Sequence, residues 1–223
     1  TRRCFCAGFS KSVSRPPEMR LRVVSLPATQ RRRKNETNSM SSPVAVDNAF
    51  GGSAKRANLW DVTHGDTQYQ WLKTTLETSN AKYKFVFAHH VLGQSRGSSI
   101  PANLYEWGGY EADGVTWGFD THRPGWAMPL HQLMVANNVT MFFQGHDHIF
   151  VRQELDGIVY QEVPQPGDPR SAAEYGYKSG VILGSSGYLR VSVGENAAVV
   201  EYVSLGKSGQ GNVADRYNLR LRQ

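Results

Sequence analysis

Three histidines carry the chemistry that can be read from this sequence. His89 follows the apolar run Lys84-Phe85-Val86-Phe87-Ala88, and His146 and His148 follow Val139-Thr140-Met141-Phe142-Phe143 by way of Gly145. Neutral imidazole is a frequent ligand for zinc, iron and manganese. One histidine at a strand end is more often a hydrogen-bonded structural residue; three at two neighbouring strand ends point to a metal instead. In open α/β sheets, ligand sites gather outside the carboxyl ends of the strands. The i, i+2 spacing of His146 and His148 puts both side chains on one side of an extended backbone, and Gly145 leaves room for a sharp turn.

The remaining candidates are weaker. His90 reads equally as packing or as a substrate contact, and Arg96 and His122 are candidate substrate-binding residues. His122 and Arg123 could meet a phosphate, although Arg123 precedes Pro124 and suits a turn-shaping role. His131, beside Leu130 inside a helical pattern, reads as structural, and His64 as a solvated residue ahead of a helix cap. Cys4 and Cys6 are the only cysteines, half of what a structural zinc needs, and no disulfide is expected in the core.

The elements that must present the histidines follow from periodicity. Residues 67–79 read as a helix, with Asp66 or Thr67 as cap, Gln70 three residues after Thr67 as in a capping box, and Trp71, Leu72 and Leu76 at helical spacing. Residues 84–88 and 139–143 are nearly continuous apolar runs, the pattern of strands buried on both faces. Between them, residues 91–124 form a Gly- and aromatic-rich excursion, of a length usually used as a lid or substrate wall, followed by a helix over 129–138. Asp156-Gly157 predicts a hairpin joining 149–155 to 158–163, and Gly194-Glu195-Asn196 another joining 188–193 to 197–203. Helix–strand units followed by hairpins give an α/β fold with a mixed sheet.

Length and charge set the outer bounds. A chain of 223 residues suits one ordinary domain, and it has no run approaching the roughly 20 apolar residues of a membrane span. The net charge of +6 belongs to one end: residues 1–34 hold ten Lys and Arg against Glu18, leaving about −3 for the rest. Residues 1–42 are therefore expected to be a disordered basic leader, similar in composition to a transit peptide. Without folded or aromatic company the leader does not predict a nucleic-acid partner. Residues 43–205 form the expected domain and 206–223 a polar tail.

Val86-Phe87-Ala88-His89-His90 resembles the V-x-x-H motif, and Gly145-His146-Asp147-His148 the G-H-x-H motif, of calcineurin-like metallophosphoesterases and purple acid phosphatases. Gln70-Trp71-Leu72 also looks like the helix these enzymes place before the first motif. The resemblance spans roughly residues 43–205 and implies the C-terminal half of a four-layer α-β-β-α sandwich. It implies hydrolysis of phosphate esters at two divalent or mixed-valence metal ions (zinc, iron or manganese), with His89 and His146 on one and His148 on the other. Ions about 3.5–4 Å apart would share a hydroxide that attacks phosphorus in line. A secreted or periplasmic location is the one the family favours.

One part of the family pattern has no counterpart. The motifs D-x-H or D-x-G, G-D-x-x-D or G-D-x-x-Y, and G-N-H-[DE], which supply carboxylate and amide ligands, are not matched in place ahead of His89. Gly65-Asp66-Thr67-Gln68-Tyr69 spells G-D-x-x-Y, but its place before a helix makes Asp66 a cap candidate. Two dications held by three neutral imidazoles would keep their full charge in a partly desolvated site, which is costly. The expected centre is thus incomplete, with an N-terminal half supplied by a longer chain or by another polypeptide, and slight activity from this chain alone. The alternative is a catalytically inactive fragment acting as a binding module.

Overall fold

The computed structural model describes residues 21–25 (backbone only), 60, 63–89, 91, 103–167, 177, 179–184, 186–205 and 209–221. His90, Arg96, Cys4 and Cys6 lie outside the described residues.

Apolar runs with no polar face must be covered on both sides, and the two central strands are. β2 (Tyr83–Phe87) and β3 (Met141–Gln144) pair in parallel, Phe85 opposite Met141 and Phe87 opposite Phe143. Val86 and Phe142 face one way, into a cluster with Tyr69, Leu72, Leu76, Trp107, Leu130, Leu133 and Met134. Phe85, Met141 and Phe143 face the other way, against Ala198, Val200 and Leu219. The first cluster belongs to the helices α1 (Asp66–Glu77), α2 (Tyr105–Gly108), α3 (Phe119–His122) and α4 (Leu130–Ala136). The second belongs to a three-stranded antiparallel sheet of β7 (Gly187–Val193), β8 (Ala198–Leu205) and β9 (Gly211–Leu219), in that order.

The larger sheet is mixed. With β1 (Leu21–Ser25), β4 (Phe150–Leu155), β5 (Ile158–Glu162) and β6 (Val181–Leu183), its order is β1-β2-β3-β5-β4-β6, parallel from β1 to β5 and antiparallel beyond. The α/β class and the mixed sheet are as the sequence predicts. Both central strands lie within a residue or two of their expected positions. The hairpin turns where expected, because Asp156 (φ 48°) and Gly157 (φ 76°) both take the left-handed backbone that a two-residue loop demands.

Four local expectations need correction. Leu21–Ser25, inside the expected disordered leader, is a strand: Leu21, Val23 and Val24 suit a place beside β2, where Val24 pairs with Val86. The expected polar tail contains β9, which runs antiparallel to β8 from Leu205–Gly211 to Ala198–Leu219. Its inward positions include Asp215 and Tyr217, which bind Arg152 (3.1 Å) and Gln161 (2.6 Å), so apolar periodicity does not mark it. Helix α1 begins at Gly65 without a side-chain cap, and Asp66 lies inside its first turn, accepting the Trp126 indole N–H at 2.7 Å. The buried face of α1 runs through Tyr69, Leu72 and Leu76, leaving Trp71 exposed.

One buried cation ties the helix layer to the sheet. Lys84 projects from β2 to the carboxyl ends of α1 and α4, where its ammonium donates to the carbonyls of Leu76 (3.1 Å) and Asn137 (2.8 Å). Both carbonyls lie at the last turns of their helices, where Leu76 O also accepts the Ser79 N–H at 3.3 Å, and a cation complements the negative ends of both dipoles. Burial holds the Lys84 pKa below its ordinary value.

Candidate metal centre

The parallel ladder of β2 and β3 brings the two histidine motifs together. Beyond the strands it continues as the Ala88 N–H donating to Phe143 O (2.9 Å) and the Gly145 N–H donating to His89 O (3.0 Å). A Cβ on residue 145 would come within 3.3 Å of that carbonyl, so close approach, rather than an unusual φ, is what glycine supplies here. Two residues past the strand ends, His89 Nε2 and His146 Nδ1 stand 3.5 Å apart with the rings nearly perpendicular, 86° between planes. His89 is exposed and His146 half-buried, so solvent and solutes reach the pair.

The turn after Gly145 is not extended, and the same-side argument for His146 and His148 does not hold. His146 (φ 87°) and His148 (φ 62°) are both left-handed, which non-glycine residues adopt at a cost of about 1–3 kcal/mol each. Asp147 between them turns inward and is buried. Its N–H donates to the Glu162 carboxylate at 3.0 Å, and its own carboxylate accepts the Tyr177 hydroxyl at 3.1 Å. His148 is exposed, and its carbonyl accepts the Gln165 N–H at 3.5 Å.

The donors at hand can be tested against a metal. Two nitrogens sharing one ion at about 2.0–2.1 Å lie roughly 3.0–3.5 Å apart for bond angles between about 95° and 115°. His89 and His146 meet that separation and fit one ion as a pair. Among the described residues, no group of three or more His, Cys, Asp or Glu is gathered to hold a metal, so His148 is not drawn in with the pair. Asp66 is occupied by Trp126.

The other candidates have structural partners. His122 Nε2 lies 3.1 Å from Glu111 Oε1, and its ring stacks on Trp60 at 4.4 Å. Arg123 binds the buried Glu106 carboxylate through Nε (3.0 Å) and Nη2 (2.8 Å), and also reaches Trp60 O. Residues 103–126 are thus a packed cap over the segment ahead of α1. His131 is structural, as expected, held between Tyr160 Oη (2.6 Å) and Asp156 Oδ2 (2.7 Å). His64 is half-buried rather than solvated. Its Nδ1 is buried with no hydrogen-bond partner among the described residues, and its Nε2 faces the Trp107 indole N–H at 3.5 Å. Burial holds its pKa below the ordinary 6.5, against a smaller upward pull from the Glu106 carboxylate.

Sequence reasoning missed Glu162 and Tyr177. Glu162 did leave a signal: it continues the inward series Ile158, Tyr160 along β5, where a carboxylate is out of place unless it has something to hold. Tyr177, isolated in sequence, left none.

The fold and the site define an α/β protein with a largely parallel sheet and a histidine pair at adjoining strand ends. No protein-family model matches the chain, and no curated protein matches it. Among solved structures it is similar to GAP50, the anchor in the inner membrane complex of Plasmodium, at 15% identity and a TM-score of 0.48, over 77% of this chain and 46% of that one. A purple acid phosphatase, PPD1, from yellow lupin (Lupinus luteus) seeds gives 18% identity and 0.45, over 69% and 28%. PhoD gives 14% and 0.46, over 72% and 35%. The chain spans less than half the length of each, and likenesses of this size carry no argument about activity.

Proposed function

We propose that this chain contributes the histidine side of a metal centre that hydrolyses phosphate esters. The observation that carries the reading is the 3.5 Å approach of His89 Nε2 and His146 Nδ1 outside the carboxyl ends of adjoining parallel strands. The two motifs that supply these residues resemble those of the calcineurin-like metallophosphoesterases, which supports the choice of phosphate esters. Zinc, iron or manganese suits the imidazole donors. When bound, such an ion would act as a Lewis acid toward a phosphoryl oxygen and lower the pKa of water. His89 and His146 would hold it; the exposed edge of His89 leaves the ester a way in. His148 is the candidate ligand for a second ion. Carboxylate ligands are to come from outside the described residues or from another polypeptide.

A metal titration tests this reading directly. Cobalt(II) or zinc should bind the purified chain, and His89→Ala and His146→Ala should each abolish the binding. Equal binding by both variants would refute the assignment. Hydrolysis of an aryl phosphate or a phosphodiester by this chain alone should be slight and metal-dependent. A polypeptide carrying the missing carboxylates should raise it, and His148→Ala should lower it again.

A further inference from the structure

The turn that presents His146 and His148 is unusual in its backbone. Two non-glycine residues two apart both adopt positive φ, 87° and 62°. Such conformations persist only where their surroundings over-determine them, and they gather at functional sites. The surroundings here converge on Asp147, the residue between them. Its N–H is held by Glu162 Oε1 at 3.0 Å and its carboxylate by the Tyr177 hydroxyl at 3.1 Å. Glu162 is fully buried at the end of β5, and β5 is itself fixed in register against β3, with Gln144 opposite Glu162. The Val163 N–H closes the same corner by donating to Gln144 O at 2.8 Å.

We propose that Glu162 is a positioning residue for the histidine turn: its buried carboxylate pins the Asp147 amide, which turns His146 and His148 outward. The proposal rests on the metal-centre reading for its consequence, although not for the pin itself. A charged acceptor makes a shorter, stronger bond to a backbone N–H than a neutral one, and a side chain buried at the end of a paired strand moves little. Tyr177 is the second brace, holding the Asp147 carboxylate away from the histidines. With both braces in place, the imidazoles meet an ion without first ordering the turn. Partners behind the ligands of a metal site commonly contribute 10–100-fold in affinity.

The test separates the pin from the metal. In metal-free protein, the Asp147 amide should be protected from hydrogen exchange, and Glu162→Ala should remove that protection. In cobalt(II) titrations read by the visible ligand-field bands, Glu162→Ala should weaken binding about 10–100-fold and alter the bands. Glu162→Gln, which keeps an acceptor oxygen in the same place, should restore most of both. Tyr177→Phe, a milder change that keeps the packing, should weaken binding in the same direction. Unchanged Asp147 protection in Glu162→Ala would overturn the pin. Protection lost with cobalt affinity and bands unchanged, while His146→Ala still abolishes binding, would overturn the positioning role. Should Glu162→Ala fail to fold, Glu162→Met, which keeps the bulk but offers no acceptor oxygen, takes its place, and the same two outcomes in it would overturn the proposal. Cobalt binding indifferent to His89→Ala and His146→Ala would sink the metal-centre reading, leaving the exchange result to judge the pin alone.

Discussion

Glu106 offers the most exacting test of how the helix layer is held. Its carboxylate is fully buried in α2 and accepts four donors: the Thr63 hydroxyl (2.5 Å), the His64 amide (2.8 Å), and Arg123 Nε and Nη2 (3.0 and 2.8 Å). Removing one member of a buried ion pair costs about 3–5 kcal/mol, because the other charge is left uncompensated. Arg123 retains 13% of its side-chain exposure and keeps the carbonyls of His122 and Trp60, so water can reach part of what is orphaned. Glu106→Gln, which keeps one acceptor oxygen but turns an amide N–H₂ toward donors, should cost ~3 kcal/mol, and Glu106→Ala ~4 kcal/mol. For a domain of this size that is a midpoint fall of about 6–16 °C across the two variants. The assay is urea unfolding followed by both tryptophan fluorescence and far-ultraviolet circular dichroism. Of the five tryptophans, Trp107, Trp117 and Trp126 lie in the cap, Trp60 packs beneath it and Trp71 is exposed on α1, so fluorescence reports mainly on the cap and circular dichroism on the whole. If the clasp holds only the cap, fluorescence in Glu106→Ala changes at lower urea than circular dichroism. A loss under about 1 kcal/mol in both variants, or no coupling between Glu106→Ala and Arg123→Ala in a double-mutant cycle, would refute the reasoning.

Further outcomes follow from the same structure. Lys84→Met keeps the buried stem but leaves two helix-terminal carbonyls without their ammonium, and should lower stability by ~2 kcal/mol in urea with an unchanged m-value. Because the folded-state pKa of His64 is depressed, the unfolded chain takes up that proton first. The stabilising contribution is therefore full above about pH 6.5 and falls as pH drops through the folded value, and His64→Gln should flatten that part of the stability profile. Leu219→Ala should cost about 2–4 kcal/mol, since Leu219 packs with Tyr83, Phe85 and Met141 between the sheets; an effect within 0.5 kcal/mol would return residues 211–219 to the status of a tail.

Local pattern in the sequence determined the elements that make their own case. The runs around Phe85-Val86-Phe87 and Met141-Phe142-Phe143 have no polar face, so they must be interior strands whatever surrounds them. Asp156-Gly157 takes the backbone of a tight hairpin because the two residues tolerate it. The histidines at both strand ends follow, since adjoining parallel strands carry whatever comes next to the same edge of the sheet. Tertiary structure alone decided the rest. β1 and β9 are strands because partners with unpaired edges were waiting for them; their own residues, with Arg22 in one and Asp215 in the other, do not declare it. The orientation of His146 and His148 came from a left-handed turn held by Glu162, fourteen residues and two strands beyond His148. His64 and Arg123 were assigned to the Glu106 clasp and His122 to Glu111 and Trp60, contacts that close only when residues 103–126 fold back over the segment before α1. In each case the deciding interaction joins residues far apart in the chain, and a buried charge or a strained backbone is stable only in the company that folding assembles.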